Sequence, residues 1–214
     1  MSKLILSIET SSNICSSAII QDDSVLSCIE ELCPREHIER LPKFIKRSLK
    51  DAGKKVEELD ALAVSIGPGS FTGLRIGLGF SKGLAFSHGL PLIPVPTILS
   101  LAFSLRDFTP SNGVVYSHSD RVFYQEFDWG KMFPKIKDKA TVKEVNQKFF
   151  KENKIDFHSN CEKFFNENYS IKKANHSAKH IGLLASHNYD AWQIKKPYDT
   201  VPEYIVPFMV NKRG

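Results

Sequence analysis

Residues 61–86 read Ala61-Leu-Ala-Val-Ser-Ile66, then Gly67-Pro-Gly-Ser70, then Phe71-Thr-Gly-Leu-Arg-Ile-Gly-Leu-Gly-Phe-Ser-Lys-Gly-Leu-Ala-Phe86. The first segment is a β-like apolar run, the second a tight glycine turn, and the third reads as a helix. That helix carries Gly73, Gly77, Gly79 and Gly83. Each interior glycine costs about 1 kcal/mol relative to alanine, so the set costs roughly 4 kcal/mol. Net domain stability is of similar order. Either a ligand or another piece of backbone must therefore approach this helix closely.

A strand, a glycine turn and a helix can hold a phosphate, with backbone N–H groups aimed at the anion. Here the spacing is GxGxxxG rather than GxGxxG, no P-loop lysine is present, and Pro68 removes a donor. Helix packing is the stronger reading. Gly73 and Gly77 share one face, and Gly79 and Gly83 share a neighbouring one. Small residues at i and i+4 let two backbones come close. Leu74, Leu78, Phe80, Leu84 and Phe86 spread over the rest of the surface. The pattern predicts a helix buried on most sides, part of it against a second helix or a second chain.

Working outward, the 214 residues suffice for a sizeable core and one or two small domains. Hydrophobic content of 42% and charged content of 25% are those of a globular protein, and the lysines behind the +5 net charge are scattered. Cys15, Cys28, Cys33 and Cys161 form no CxxC pair and read as free thiols. No apolar run nears the ~20 residues of a membrane span. The expectation is a cytoplasmic protein without membrane contact.

Strands are expected at Lys3–Ile8, Cys15–Ile20, Val25–Glu30, Ala61–Ile66 and Leu92–Val95. Glu36–Ala52 carries Ile38, Leu41, Ile45 and Leu49 at helical spacing, with Pro42 expected to start or kink the helix. A short helix is expected at Ile98–Leu105. Three strands, helix, strand, helix, strand is an α/β order with a mixed sheet. Composition shifts after Arg106. Val114–Ser117 and Arg121–Asp128 read as paired strands, Thr141–Glu152 as a helix, Ile155–His158 as a strand and Ser177–Asn188 as a helix. Val201–Val210 reads as extended, its prolines placing it at an edge or in a loop.

Several of these segments resemble the TsaB (YeaZ) family. The resemblance is carried by Leu6-Ser-Ile-Glu-Thr-Ser-Ser12 together with Gly67–Gly77, and by Lys82-Gly-Leu-Ala85, Leu92-Ile-Pro-Val95 and Leu99-Ser-Leu-Ala102. Asp120-Arg121 with Val122-Phe-Tyr124, and Pro202-Glu-Tyr-Ile205, are also similar. The match is strong to about Ala102 and slight over Lys131–Asn175. Val206 stands where the family usually has arginine.

The resemblance implies an α/β, actin-like ATPase (ribonuclease H-like) fold of two lobes with mixed sheets, residues 1–106 and a reduced, divergent second lobe at 107–214. It implies a non-catalytic subunit of the bacterial machinery that makes threonylcarbamoyladenosine in tRNA. The implied partners are a catalytic TsaD-like paralogue, a TsaE-like P-loop ATPase, and tRNA through the complex. The helices implied to meet the paralogue are Glu36–Ala52 and Phe71–Phe86. The candidate interface is Ile38, Leu41, Ile45, Gly73, Gly77, Phe80, Gly83 and Leu84. Self-association of the free chain through the same patch is an alternative.

In the catalytic paralogue a His-x-x-x-His metal pair follows the strand after the glycine helix. Here that place reads Pro96-Thr-Ile-Leu-Ser-Leu-Ala102, without a ligand. His176 and His180 have metal-pair spacing but lie far from that strand and lack a third ligand. No metal or catalytic residue is therefore assigned and no cofactor is required, with ATP or ADP expected only at the assembled complex. Thr10, Ser11, Gly67 and Gly69 are the candidate nucleotide contacts, weighed against a turn whose side chains satisfy their own backbone. The alternative function is an actin-like ATPase or phosphotransferase acting through Glu9, Thr10 and the Gly67–Gly69 turn. Arg75 needs a partner, either in this chain or across an interface. His37 and His88 read as surface or interface residues.

Overall fold

The computed structural model describes residues 2–165 and 171–205. Val206, and the expected extended segment beyond Ile205, lie outside the described residues. β1 (Leu4–Glu9), β2 (Ile14–Gln21) and β3 (Ser24–Leu32) form an antiparallel meander. β4 (Ala61–Gly67) pairs in parallel with β1, and β5 (Leu92–Pro96) with β4, giving the order β3-β2-β1-β4-β5. Parallel neighbours need crossover connections. α1 (His37–Asp51) supplies the first, from β3 to β4, and α2 (Phe71–His88) the second, from β4 to β5.

Both crossover helices lie on one face of this sheet. Leu6, Ile8, Ile19 and Val64 share a core there with Leu41, Phe44, Ile45 and Leu78. The opposite face, with Ile5, Ile20, Ala63 and Ile93, packs against α3 (Thr97–Ser104) and α5 (Ala178–His187). All six residues of β1 are buried because both faces are covered.

Beyond α3 the chain builds a second mixed sheet. β6 (Asn112–His118) and β7 (Arg121–Trp129) form a hairpin, and β8 (Pro134–Ile136) and β9 (Thr141–Glu144) both pair with β7. After α4 (Gln147–Glu152), β10 (Phe157–Ser159) pairs in parallel with β6, and β11 (Lys172–Lys173) with β10. The inner face, with Val115, Phe123, Phe127 and Phe157, joins the core around α3 and α5. The outer face packs Val114, Val122 and Tyr124 against Phe149 of α4. The layers therefore run α1–α2, first sheet, α3–α5, second sheet, α4.

α5 belongs spatially to the first sheet although it lies in the second half of the chain. Ser7 Oγ donates to the Ala178 carbonyl at 2.8 Å. A Cβ on Gly182 would overlap Ile20 and come within 2.7 Å of Ser7 Oγ, so glycine permits this approach. The last strand of the first sheet ends at Pro96 and α3 at Ser104, before the expected boundary at 106/107, and the chain returns to that sheet at α5.

Two other expectations change. α1 starts at His37, so Pro42 lies inside the helix rather than at its start. Thr141–Glu152 is not one helix. Thr141 and Val142 pair with Tyr124 and Phe123 of β7, and a new helix starts only where Asn146 Oδ1 accepts from Phe149 N at 3.0 Å. β-branched side chains and a capping asparagine override the helical pattern.

His180 sits on α5 edge-on to the Phe103 ring, and its Nδ1 is buried without a partner among the described residues. Burial, then the nearby Lys179 and Arg106 charges, push its pKa from 6.5 down to about 4. Between those values the unfolded chain holds the proton and the folded chain does not. The fold therefore loses stability as pH falls through this window, by up to roughly 3 kcal/mol. Denaturant titrations should show less acid destabilisation for His180→Leu than for the wild type. Identical pH slopes would contradict the assignment.

Candidate partner groove and the neighbouring cleft

The glycines of α2 divide into two groups. Ser70 caps the helix, its Oγ accepting from Gly73 N at 3.2 Å, and Gly89 ends it at φ +65°. The inward glycines lie against the turn after β1. A Cβ on Gly73 would overlap the Thr10 carbonyl oxygen, one on Gly77 would overlap Thr10 Oγ1, and one on Gly69 would meet Ser11 O. Thr10 Oγ1 donates to Gly73 O at 2.8 Å, and Ser70 N donates to Ser11 O at 2.7 Å. The close neighbour of Gly73 and Gly77 is thus the chain's own turn. This corrects their placement on a partner surface. Gly79 and Gly83 are exposed, and among the described residues nothing lies within 4 Å of a Cβ added at either.

Between α1 and α2 opens an apolar groove of about 470 Å³. Leu41 forms its floor, Ile38 rises on the α1 side with 69% of its surface exposed, and Ile76, Gly79 and Phe80 form the α2 side. Of the expected interface residues, Ile38, Leu41 and Phe80 line this groove, Leu41 as a fully buried core residue. Gly83 and half-buried Leu84 continue the α2 surface one turn further. Ile45 faces the core instead, because the α1 stripe that covers the sheet includes it. His37 is also buried, its Nε2 3.3 Å from Ile14 O, whereas His88 is exposed. Ile76 and Gly79 also line the groove but were not among the expected interface residues, although Ile76 lies one turn before Phe80 and Gly79 one turn before Gly83.

Arg75 stands at the groove's N-terminal lip. Its guanidinium lies 3.7 Å over the Phe71 ring, and its Nε donates to Tyr204 Oη at 3.0 Å. The segment that brings Tyr204 there runs along α2. Lys82 Nζ donates to Tyr198 O at 2.8 Å, and Glu203 N donates to Ile66 O at 2.7 Å.

A second cavity, a cleft of about 830 Å³, lies between the two sheets, with Ser11, Gly69, Tyr116, Arg121 and Glu203 among its walls. Of the four candidate nucleotide contacts, Ser11 and Gly69 line it and Thr10 and Gly67 do not. The glycine turn's donors are partly used. Gly67 N donates to Thr97 Oγ1 at 3.1 Å, Ser70 N is bound to Ser11 O, and Pro68 has none. The Glu203 carbonyl lies 3.1 Å from where a Gly67 Cβ would stand, so the chain itself covers the turn.

Beneath the cleft, Glu9 is fully buried, and its Oε1 accepts from Ser11 N at 2.5 Å and Ser65 Oγ at 3.1 Å. His176 Nδ1 lies 3.9 Å from that oxygen and 3.0 Å from Ser11 Oγ. Burial works to raise the Glu9 carboxyl, but the His176 and Ser11 interactions outweigh it and hold the pKa below its usual value. A hydrolytic triad needs the acid and the nucleophile on different ring nitrogens. Here both face Nδ1, so the network ties β1 to the segment before α5. His176 precedes α5 and therefore lacks the one-face spacing with His180 that a shared helix would give. Among the described residues no three His, Cys, Asp or Glu side chains gather as a metal-binding set.

The β3-β2-β1-β4-β5 sheet, its crossover helices and the second mixed sheet define an actin-like, ribonuclease H-like α/β protein. YeaZ from Pseudomonas aeruginosa superposes with a TM-score of 0.80 over 94% of this chain and 99% of that one, at 21% identity. The tRNA threonylcarbamoyladenosine biosynthesis protein TsaB of Escherichia coli K12 is 43% identical over 98 residues, 46% of this chain and 42% of its own length. TsaB of Haemophilus influenzae is 36% identical over 111 residues, 52% of this chain and 47% of its own length. The matched region thus spans less than half of either relative. The family model for TsaD, tRNA N6-adenosine threonylcarbamoyltransferase, matches residues 28–119. The chain thus has the fold of YeaZ, and about half of it is similar in sequence to TsaB and TsaD proteins.

The two glycine groups should respond oppositely to a methyl group. Gly73→Ala should cost about 3 kcal/mol through overlap with backbone. Gly79→Ala and Gly83→Ala should each stabilise the isolated chain by up to about 1 kcal/mol. Thermal melts of the three variants check this, and equal shifts in all three would contradict it.

Proposed function

We propose that this chain is a non-catalytic subunit in the making of tRNA threonylcarbamoyladenosine, and that it binds a threonylcarbamoyltransferase-type paralogue through the α1–α2 groove. The observation that carries this reading is the outward pair Gly79 and Gly83. Each lowers the helix propensity of α2, nothing in the described chain fills the space above them, and Gly79 lies in an apolar groove. A helix backbone crossing there would use that space.

The match to the transferase family model supports the choice of partner. It covers α1 and α2, so a paralogue of that family carries counterparts of both helices. Two such helix pairs can pack about a pseudo-twofold axis, each presenting the same kind of surface to the other. The His-free stretch Pro96–Ala102 supports a role other than transfer. A P-loop ATPase and tRNA would then meet the assembled pair rather than this chain alone.

The second reading, an ATPase or phosphotransferase, is favoured by the size of the interlobe cleft. The occupied donors of the glycine turn and the Glu203 backbone over Gly67 weigh against it.

Calorimetry with the transferase paralogue from the same organism tests the proposal. Gly79→Leu and Phe80→Asp should each weaken binding by roughly 30-fold or more, as expected for centrally placed interface residues. Both variants should keep the wild-type circular dichroism spectrum. Wild-type affinity in both would contradict the groove. Micromolar ATP binding by the isolated chain, with turnover lost in Ser11→Ala, would favour the second reading instead.

A further inference from the structure

We infer that Arg75 is a prepared carboxylate receptor at the lip of the groove, and that the docking helix of the paralogue places an Asp or Glu side chain on it. The inference rests on the groove reading and adds the charge its partner must carry.

The three arginines of α1 and α2 are not equivalent. Arg40 pairs with Glu36 at 2.8 Å, and Arg47 pairs with Asp51 at 3.6 Å and Glu31 at 4.0 Å. Arg75 has no carboxylate partner among the described residues. Its Nε is used by the neutral Tyr204 hydroxyl, and its plane is held against Phe71. The two terminal nitrogens have no hydrogen-bond partner among the described residues. A guanidinium with its plane and Nε fixed and its outer nitrogens open has already lost much of the freedom that ion pairing usually removes. Carboxylate is the group whose two oxygens match that geometry.

The surroundings favour a carboxylate on a helix. Arg75, Ile76, Gly79 and Phe80 share one α2 surface, so a helix lying over the open glycine would pass beside the guanidinium. The ring of Phe71 and the apolar groove exclude water from one side of the pair, which strengthens it relative to an exposed salt bridge. A phosphate-bearing partner is less well served, because the groove beyond Arg75 offers only apolar side chains, Thr72 and glycine.

The test measures binding of the full chain to its transferase-type paralogue at about 50 mM and about 300 mM salt, where screening differs severalfold. Arg75→Gln should weaken binding at low salt by roughly 30-fold, and its deficit against wild type should shrink as salt rises. Arg75→Lys should recover part of the loss. If Arg75→Gln binds within about threefold of wild type while Gly79→Leu fails, the carboxylate receptor is wrong and the groove stands. If neither variant weakens binding, the groove reading itself falls. A loss that ignores salt would assign Arg75 to packing on Phe71 and overturn the inference. A salt-sensitive self-association lost in Arg75→Gln would make the occupant a second copy of this chain, overturning the choice of the paralogue.

Discussion

The contact between the backbone of α2 and the turn after β1 fixes the rest of the molecule. Thr10 Oγ1 donates to Gly73 O, and both Gly73 and Gly77 must lack a side chain for the turn to fit. That seat sets the distance of α2 from the first sheet and leaves the groove between α2 and α1. It also holds the Glu9–Ser11–His176 network beneath the cleft, where β1, β4 and the segment before α5 converge. The Glu203 backbone lies over Gly67, while Gly69 of the same turn lines the cleft.

The N-terminal half was legible because each level of its sequence agrees. Apolar runs mark β1, β4 and β5, helical spacing marks α1, and Ser70 and Gly89 cap α2. The split role of the α2 glycines was only half legible. Periodicity shows two faces, but not which of them meets the Thr10 turn, because that depends on a contact 63 residues away. The family resemblance drew the interface onto Gly73, Gly77 and Ile45, whereas the two glycines lie against the Thr10 turn and Ile45 points into the core away from the groove.

The second half hid more. Lys143 and Glu144 look helical beside Gln147–Glu152, yet pairing with β7 makes Thr141–Glu144 a strand. The return of α5 to the first sheet depends on Gly182 fitting over Ser7 and Ile20, a complementarity with no local signature. His176 and His180 suggested a metal pair by spacing alone. Their structural use is different: one joins the Glu9 network and the other is buried against Phe103.

Amide hydrogen exchange of this chain, alone and mixed with the proposed transferase-type paralogue, tests the proposed groove most directly. Binding through the groove predicts new protection concentrated in α1 around Ile38–Leu41 and in α2 from Thr72 to Leu84, with β6–β11 unchanged. Protection confined to the second sheet or the cleft walls, with α1 and α2 exchanging as in the free chain, would contradict it.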